Sequence, residues 1–244
     1  MQLPRGDTSW ALHMRWQKLL FCHWEVDPAS LRPLVPEPLE LDLFEDRAYV
    51  GIVPFAMSGI RFRGLPEIPG THSFLELNVR TYVRYEGRQG VWFHSLDANN
   101  RLAVRAARAW FHLRYLDCDL TLVEHEGRVR YTARRPGSAH EYRTYPTPGA
   151  AAAGLDVQYR PVGPKEPSDL DRFLTERYCL YSYSSKGRLY QGNVHHEPWP
   201  LQSAEADFDE NRMVDGLGLA LSGPAMLLYS ESLDVFADRP RRLP

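Results

Sequence analysis

The polar residues best placed for chemistry lie in segment 75–84, LELNVRTYVR, where Glu76, Asn78 and Arg80 alternate with apolar side chains. Side chains two residues apart on a β-strand point to the same face. A strand here therefore sets a carboxylate, an amide and a guanidinium in one row, with Tyr82 next in line. Such a row can converge on one small polar molecule. Glu76 would then be a general acid or base, and Arg80 a clamp for a carboxylate.

The same row has a second interpretation, because half-exposed antiparallel strands show this alternation with their polar face in water. Lys commonly coats such solvated faces, and the row contains no Lys. The composition therefore favours a cavity wall, with Glu76, Asn78 and Arg80 facing an enclosed space and Tyr82 near its rim. A carboxylate in that position must be neutralised, either by an Arg or by a proton taken up on burial.

Four residues elsewhere in the chain are candidates to join this row. Arg114 offers a second carboxylate clamp, and Tyr115 follows it directly. Arg61, Arg114 or Arg80 of the row itself is expected to form an ion pair with the carboxylate. His196 can reach a cavity as a hydrogen-bond donor or as a proton carrier.

Several other chemistries lack their motifs in this sequence. His195 and His196 are adjacent, so a strand would point them to opposite faces and they could not chelate one ion. The chain contains no HExxH pattern, no GxSxG elbow, no GxGxxG turn and no P-loop. We therefore expect no metal site and no nucleotide or other cofactor.

Composition bounds the class of protein and its partners. The chain has 244 residues, 43% of them hydrophobic, and a net charge of −2, which argues against a nucleic-acid footprint. Cys22, Cys118 and Cys179 are odd in number and far apart, so no disulfide framework is indicated. The N-terminus has no apolar signal region, and the longest apolar run, Leu217–Tyr229, is broken by Gly and Pro. We expect a cytoplasmic protein with a small-molecule ligand and no nucleic-acid or membrane partner, and leave a homo-oligomer open.

The element that must position the polar row is a β-hairpin. Leu75–Arg84 and Val91–Asp97 flank the turn at Glu86-Gly87-Arg88. Many further short strands with regular turns, and only three or four short helices, predict an α+β fold that is mainly antiparallel β. We interpret residues 1–244 as a single domain.

Helices are predicted at Ala29–Leu34, at Arg101–Arg108, and from a capping box at Ser168 to about Arg177. Ser58–Thr71 is predicted to be a loop because it is rich in Gly and Pro. The remaining predicted strands are Ser9–Val26, Leu39–Phe44, Ala48–Phe55, Phe111–Val123, Arg128–Ala133, Leu155–Arg160, Tyr178–Ser184, Arg188–Val194, Gln202–Phe208 and the tail Ala225–Ala237, with Glu141–Tyr145 as a further candidate.

The chain resembles the acetoacetate decarboxylases in the stretch VPEPLELD at 35–42 and in the order of hairpin and Ala-rich helix. It is more similar still to the YqjF-like branch of that superfamily, a group of uncharacterised proteins. That similarity extends almost end to end, in FCHW at 21–24, FLELNVRTYV at 74–83, GVWFHSLD at 90–97, ERY at 176–178 and HEPW at 196–199. The resemblance implies a cone-like β-barrel with an internal cavity, in which Glu76 matches a carboxylate of the decarboxylase pocket.

The sequence departs from the decarboxylases at their catalytic lysine. They carry a Lys pair after the helix, one of which forms a Schiff base with the substrate ketone. Here that place holds Arg114-Tyr115-Leu116, and Lys occurs only at positions 18, 165 and 186. Arg cannot act as an amine nucleophile at neutral pH, so the Schiff-base mechanism is in doubt.

Two functions stay open from the sequence. One is a binding protein with an internal pocket for a small organic anion, such as an oxo- or hydroxy-acid. The other is a lyase- or isomerase-type enzyme acting on a small oxo-acid, with Glu76 as general acid or base and an arginine as carboxylate clamp. A scaffolding role would be favoured if the Glu76 row were solvated.

Overall fold

A computed structural model describes residues 10–67, 69–70, 73–101, 111–136, 152–184 and 186–244. Strands dominate this part of the chain, and two short helices, α1 (Pro28–Leu31) and α2 (Asp169–Thr175), lie between them. The strands are β1 (Leu12–Val26), β2 (Glu40–Leu41), β3 (Ala48–Phe62), β4 (Ser73–Tyr85), β5 (Arg88–Ala98), β6 (Tyr115–Asp117), β7 (Asp119–His125), β8 (Arg128–Arg135), β9 (Ala153–Pro164), β10 (Cys179–Tyr183), β11 (Leu189–His195), β12 (Gln202–Asn211), β13 (Met226–Ala237) and β14 (Arg241–Arg242).

Seven strands close into a ring. They follow the order β11-β10-β5-β4-β3-β1-β13, and β11 pairs with β13 to complete the circle. Most neighbours are antiparallel, whereas β10 runs parallel to β5. A ring of this size encloses an interior that inward-facing side chains line. The polar row of β4 lies in the middle of it, between β3 and β5.

The strands outside the ring cover one of its outer faces. β12, β9, β8 and β7 continue the sheet from β13. Their apolar side chains, including Tyr131 and Tyr159, pack with Leu77 and Val79 from the other face of β4. Both faces of β4 are therefore buried, which is why its polar row does not meet bulk water.

Two bulges change which residues face the interior. The register between β1 and β3 shifts after Gln17, where Lys18 has a φ of 54°. Inward-facing residues have even numbers before the bulge, as in Trp16, and odd numbers after it, as in Leu19. A shift of one residue flips a strand's faces. A second register shift lies between β4 and β5, after Val79. It changes the inward-facing residues of β5 from odd numbers, as in Phe93, to even numbers, as in Leu96.

Helix α2 covers the ring near Arg80. Its N-terminus has the predicted capping box, in which Ser168 and Asp171 exchange hydrogen bonds with each other's backbone N–H. Near its C-terminus the carbonyl of Leu174 accepts hydrogen bonds from Arg80 and Tyr82. The helix thus fixes the side chains of Arg80 and Tyr82 on β4.

The structure corrects several predicted elements. β3 runs on to Phe62, so the first part of the predicted loop Ser58–Thr71 is strand, stabilised by pairing with β1 and β4. The predicted strand Leu39–Phe44 shrinks to β2, which pairs with β4. Phe111–Val123 divides into β6 and β7, and the helix predicted to Leu34 ends in a 3₁₀ turn from Arg32. The predicted helix Arg101–Arg108 and strand Glu141–Tyr145 lie wholly or almost wholly outside the described residues.

Two kinds of feature were not found among the described residues. No helix there has both the length and the apolar character needed to cross a membrane. No group of three or more His, Cys, Asp or Glu side chains there could hold a metal ion. The three cysteines are buried and unpaired.

A buried ion pair joins the ring to its outer cover. Asp97 on β5 and Arg135 on β8 are both almost fully buried, and two N–H donors of the guanidinium each lie 2.6 Å from a carboxylate oxygen. Replacing Asp97 with asparagine should lower the free energy of unfolding by about 3 kcal/mol, because a guanidinium then stays buried without its countercharge. Urea denaturation measures this loss.

The matched control is Asp156→Asn. Asp156 accepts a comparable two-donor contact from Arg130, whose side chain is half exposed. Exposed pairs contribute at most ~1 kcal/mol. Equal losses in the two variants would contradict the view that burial makes the loss of Asp97 more costly than the loss of an exposed partner.

Candidate functional site

A cavity of about 320 Å³ lies inside the ring. Each of the seven ring strands contributes lining residues, as do β6 and the segments that follow α2 and β11. Most of the wall is aliphatic or aromatic. The groups with hydrogen-bonding or ionisable side chains are few, and they are Glu76, Asn78, Arg80, Tyr115, Thr175, Arg177, Cys179, His196 and the two tryptophans Trp16 and Trp199.

Arg80 is a buried cation without a carboxylate partner among the described residues. Its side chain is 8% exposed, and Nη2 donates to the carbonyl oxygen of Leu174 at 3.0 Å. The guanidinium lies over the rings of Phe21 and Tyr82 at 5.4 and 5.8 Å. Its Nε is buried with no hydrogen-bond partner in the described structure. A buried charge of this kind is costly unless an anion compensates it.

Arg177 lies in the same wall but is compensated. Its Nη1 donates to a carboxylate oxygen of Asp42 at 2.6 Å, and both side chains are buried. Gln89 and Arg84 also contact Asp42, which fixes the carboxylate in place. The Nη2 atom of Arg177 is buried and without a hydrogen-bond partner in the described structure.

Glu76 is held as a neutral acid. Burial raises the pKa of its carboxyl group to about 8, and the negative charge of Asp97 adds to the shift, while a hydrogen bond from Tyr115 at 2.8 Å opposes it. The group therefore carries a proton at neutral pH. The expectation that an arginine pairs with Glu76 is wrong for Arg80, Arg61 and Arg114. A bound proton, rather than an arginine, neutralises the Glu76 carboxyl group.

His196 borders the cavity beside two tryptophans. Its ring centroid lies 5.0 Å from that of Trp199, which stacks on Trp16 at 5.9 Å. Nδ1 lies 2.7 Å from the carbonyl oxygen of Glu197 and must donate to it, so the neutral ring keeps an accepting Nε2. Burial lowers the pKa of His196, which leaves the ring neutral near pH 7.

Three predicted site residues do not line the cavity. Tyr82 is fully buried, and its hydroxyl donates to the carbonyl of Leu174 and contacts His23, because α2 covers the row at this point. Arg61 lies between two lining residues of β3, so alternation points it away. Arg114 places its guanidinium 4.5 Å from the ring centre of Trp92, outside the lining set.

The structure brings together Glu76, Asn78, Arg80, Tyr115 and His196 of the predicted set. Arg177, Thr175 and the tryptophan pair were not predicted as site residues. Arg177 and Trp199 lie in the ERY and HEPW stretches of the resemblance, whereas no motif marked Thr175 or Trp16. Asp42 and Arg177 are 135 residues apart, so spacing within the sequence could not reveal their contact.

Residues 13–234 match the family DUF2071, described as an uncharacterised conserved protein. The chain belongs to this family. The uncharacterised protein YqjF of Bacillus subtilis (strain 168) is 39% identical over 233 residues, which span 94% of this chain and 91% of the relative. The resemblance to the YqjF-like branch is therefore confirmed.

Solved structures share the fold of this DUF2071 member. The enduracididine biosynthesis enzyme MppR, complexed with pyruvate, matches with a TM-score of 0.66 and 15% identity, covering 98% of this chain and 92% of that one. An acetoacetate decarboxylase from Legionella pneumophila matches with a TM-score of 0.64 and 13% identity, covering 100% and 92%. These likenesses confirm the acetoacetate decarboxylase-like fold class.

None of the three lysines reaches the described wall of the cavity. Lys18 contacts Glu124 and Glu231 on the outside of the ring. Lys165 pairs with Asp171 at 2.9 Å, and Lys186 is exposed in the turn between β10 and β11. The amine that the decarboxylase mechanism needs is thus not supplied to the cavity.

Proposed function

We propose that this protein binds a small organic anion, an oxo- or hydroxy-acid, in the cavity of its strand ring. The observation that carries the proposal is Arg80, a buried guanidinium that lines the cavity without a compensating carboxylate among the described residues. A planar guanidinium suits a carboxylate, since two parallel N–H···O bonds fit its geometry. The ligand would supply the missing countercharge.

The charges around the cavity support an anion rather than a cation. Asp42 neutralises Arg177, and burial keeps Glu76 protonated, so neither adds net charge near pH 7. Arg80 is then the uncompensated charge among the described lining residues. Among the described residues, Nε of Arg80 and Nη2 of Arg177 are buried donors without a partner, whereas the unpartnered atom of Asn78 is Oδ1, an acceptor that suits a hydroxyl of the ligand rather than its carboxylate.

The shared fold is consistent with such a ligand. MppR, which has this fold, has been solved in complex with pyruvate, a small 2-oxo acid. The identity of 15% restricts this comparison to the architecture. The residues of this chain therefore carry the argument, and the neighbour adds only that a protein of this fold has been solved in complex with an oxo-acid.

A thermal-denaturation panel tests the proposal. A ligand present at about a hundred times its dissociation constant adds ~2.7 kcal/mol to the free energy of unfolding. We expect at least one acid in a panel of oxo- and hydroxy-acids of varied length to raise the melting temperature. Stabilisation by neutral apolar compounds, with none by any acid, would contradict the proposal.

A second candidate function is a lyase- or isomerase-type reaction on a small oxo-acid. The observation that favours it is the pKa of about 8 for Glu76, which lies close to the pH range where a general acid or base is most effective. Tyr115 orients the carboxyl group by its hydrogen bond. Exchange of the carbon-bound hydrogens of a bound oxo-acid with D₂O, lost in Glu76→Gln, would favour the enzyme over the binding protein.

Neither the binding protein nor the enzyme should form an imine between a lysine and the oxo-acid. Borohydride treatment in the presence of acetoacetate or pyruvate should leave the intact mass unchanged, because no lysine lines the described cavity. Intact-protein mass spectrometry provides the measurement. A reduced adduct on Lys18, Lys165 or Lys186 would place the reactive site elsewhere.

A further inference from the structure

The two ends of the cavity differ in chemistry. Along β4, Arg80 lies six residues from Phe74, a distance of ~20 Å for an extended strand. Asn78 and Glu76 lie between them. Phe74 pairs with Met57, and β3 continues beyond that point to further lining residues. The polar side chains that β4 contributes to the cavity thus lie along one half of this stretch, from Arg80 to Glu76.

The other half has an apolar wall. The described lining residues there include Leu12, Ile60, Phe62, Phe111 and Ala237, none of which carries a polar side-chain atom. Leu12 pairs with Phe62 on one side and with Ala237 on the other, so these three form one level of the ring. The side chains of these five residues offer dispersion contacts and desolvation but no hydrogen bond.

The cavity has more room than a three-carbon acid fills. A water molecule occupies about 30 Å³ of liquid, so 320 Å³ corresponds to about ten non-hydrogen atoms. Pyruvate has six. A second space of about 300 Å³ borders the apolar end, and Phe62 and Phe111 line both.

We propose that the ligand is an amphipathic acid, with its carboxylate at Arg80 and an apolar chain of several carbons extending past Glu76 toward Phe74. This inference rests on the proposed anion-binding function and specifies its substrate class. The polar end selects the head group, and the apolar end selects length. Each methylene removed from water should improve affinity by about fourfold until the apolar half is filled.

The test is a titration of unlabelled 2-oxo acids of increasing length, from pyruvate through 2-oxohexanoate to 2-oxodecanoate, followed by calorimetry. We expect the dissociation constant to fall by about fourfold per methylene over the first additions. A dissociation constant that does not change with length would overturn the amphipathic ligand while leaving the anion site intact. If no acid of any length binds, both proposals fail.

The paired variant is Met57→Trp, which narrows the cavity level with Phe74, where a long chain that starts at Arg80 ends. It should weaken binding of 2-oxodecanoate by tenfold or more, while leaving pyruvate binding within about twofold of the parent. The control is Leu65→Trp, which places a tryptophan at a side chain that is 59% exposed and outside the cavity. Equal loss for long and short acids in Met57→Trp, or no loss for either, would contradict the proposed path of the chain.

Discussion

Replacing Arg80 with methionine should weaken oxo-acid binding by roughly two to three orders of magnitude, because truncating one partner of a buried charge pair removes most of its interaction. The free energy of unfolding without ligand should stay the same or rise. Methionine fills a similar volume over Phe21 and Tyr82. It also removes a buried charge that has no carboxylate partner among the described residues. The carbonyl of Leu174 keeps its hydrogen bond from Tyr82.

Two further variants separate charge from geometry. Arg80→Lys keeps the charge but loses the planar pair of donors, so it should bind acids more weakly than the parent and more tightly than Arg80→Met. Arg242→Met removes an exposed guanidinium on the edge strand β14 and should change neither binding nor stability. Isothermal titration calorimetry measures the dissociation constant of the acid, and urea denaturation measures the free energy of unfolding. A large loss of stability in Arg80→Met, with binding retained, would show that Arg80 is structural.

Glu76→Gln should remove a steep pH dependence of stability. The pKa of Glu76 rises from 4.5 to about 8 on folding, so the folded state binds an extra proton between these values. The stabilisation from protonated Glu76 is complete below pH 4.5 and is lost as the pH rises through 8. Each pH unit changes stability by about 1.4 kcal/mol. The parent should therefore lose ~5 kcal/mol across this range that Glu76→Gln does not lose.

The comparison is a difference of unfolding free energies measured at pH 5 and pH 9. Glutamine keeps an oxygen that can accept the hydrogen bond from Tyr115, so the variant should fold. Glu40→Gln, at an exposed position on β2, is the matched control and should follow the parent. Parallel pH profiles for the parent and Glu76→Gln would mean that Glu76 is ionised in the folded protein, which would weaken the case for an anion in the cavity.

The hairpin and its polar row could be predicted from the sequence because both depend on local rules. Alternation over ten residues assigns β4 two faces, and the Glu86-Gly87 turn fits positive φ values of 48° and 78°. The Ser168 capping box likewise needs only neighbouring residues. Local patterns of this kind are sufficient where each residue's partner lies a few positions away.

The parts that the sequence did not reveal depend on distant contacts. Tyr82 continues the alternation of the row, yet α2 covers it, and that contact joins residues 92 apart. The bulge at Lys18 moves the inward face of β1 by one residue without any Gly or Pro to mark it. Whether an arginine or a proton neutralises Glu76 depends on where the folded chain places the arginine side chains. The alternation along one strand does not determine those positions.

A crystal structure of the protein with 2-oxohexanoate tests the central claim most directly. The account predicts that the carboxylate lies inside the strand ring, within hydrogen-bond distance of the Arg80 guanidinium, with its aliphatic carbons directed past Glu76. Binding of the acid outside the ring, or inside it with the carboxylate remote from Arg80, would contradict the account.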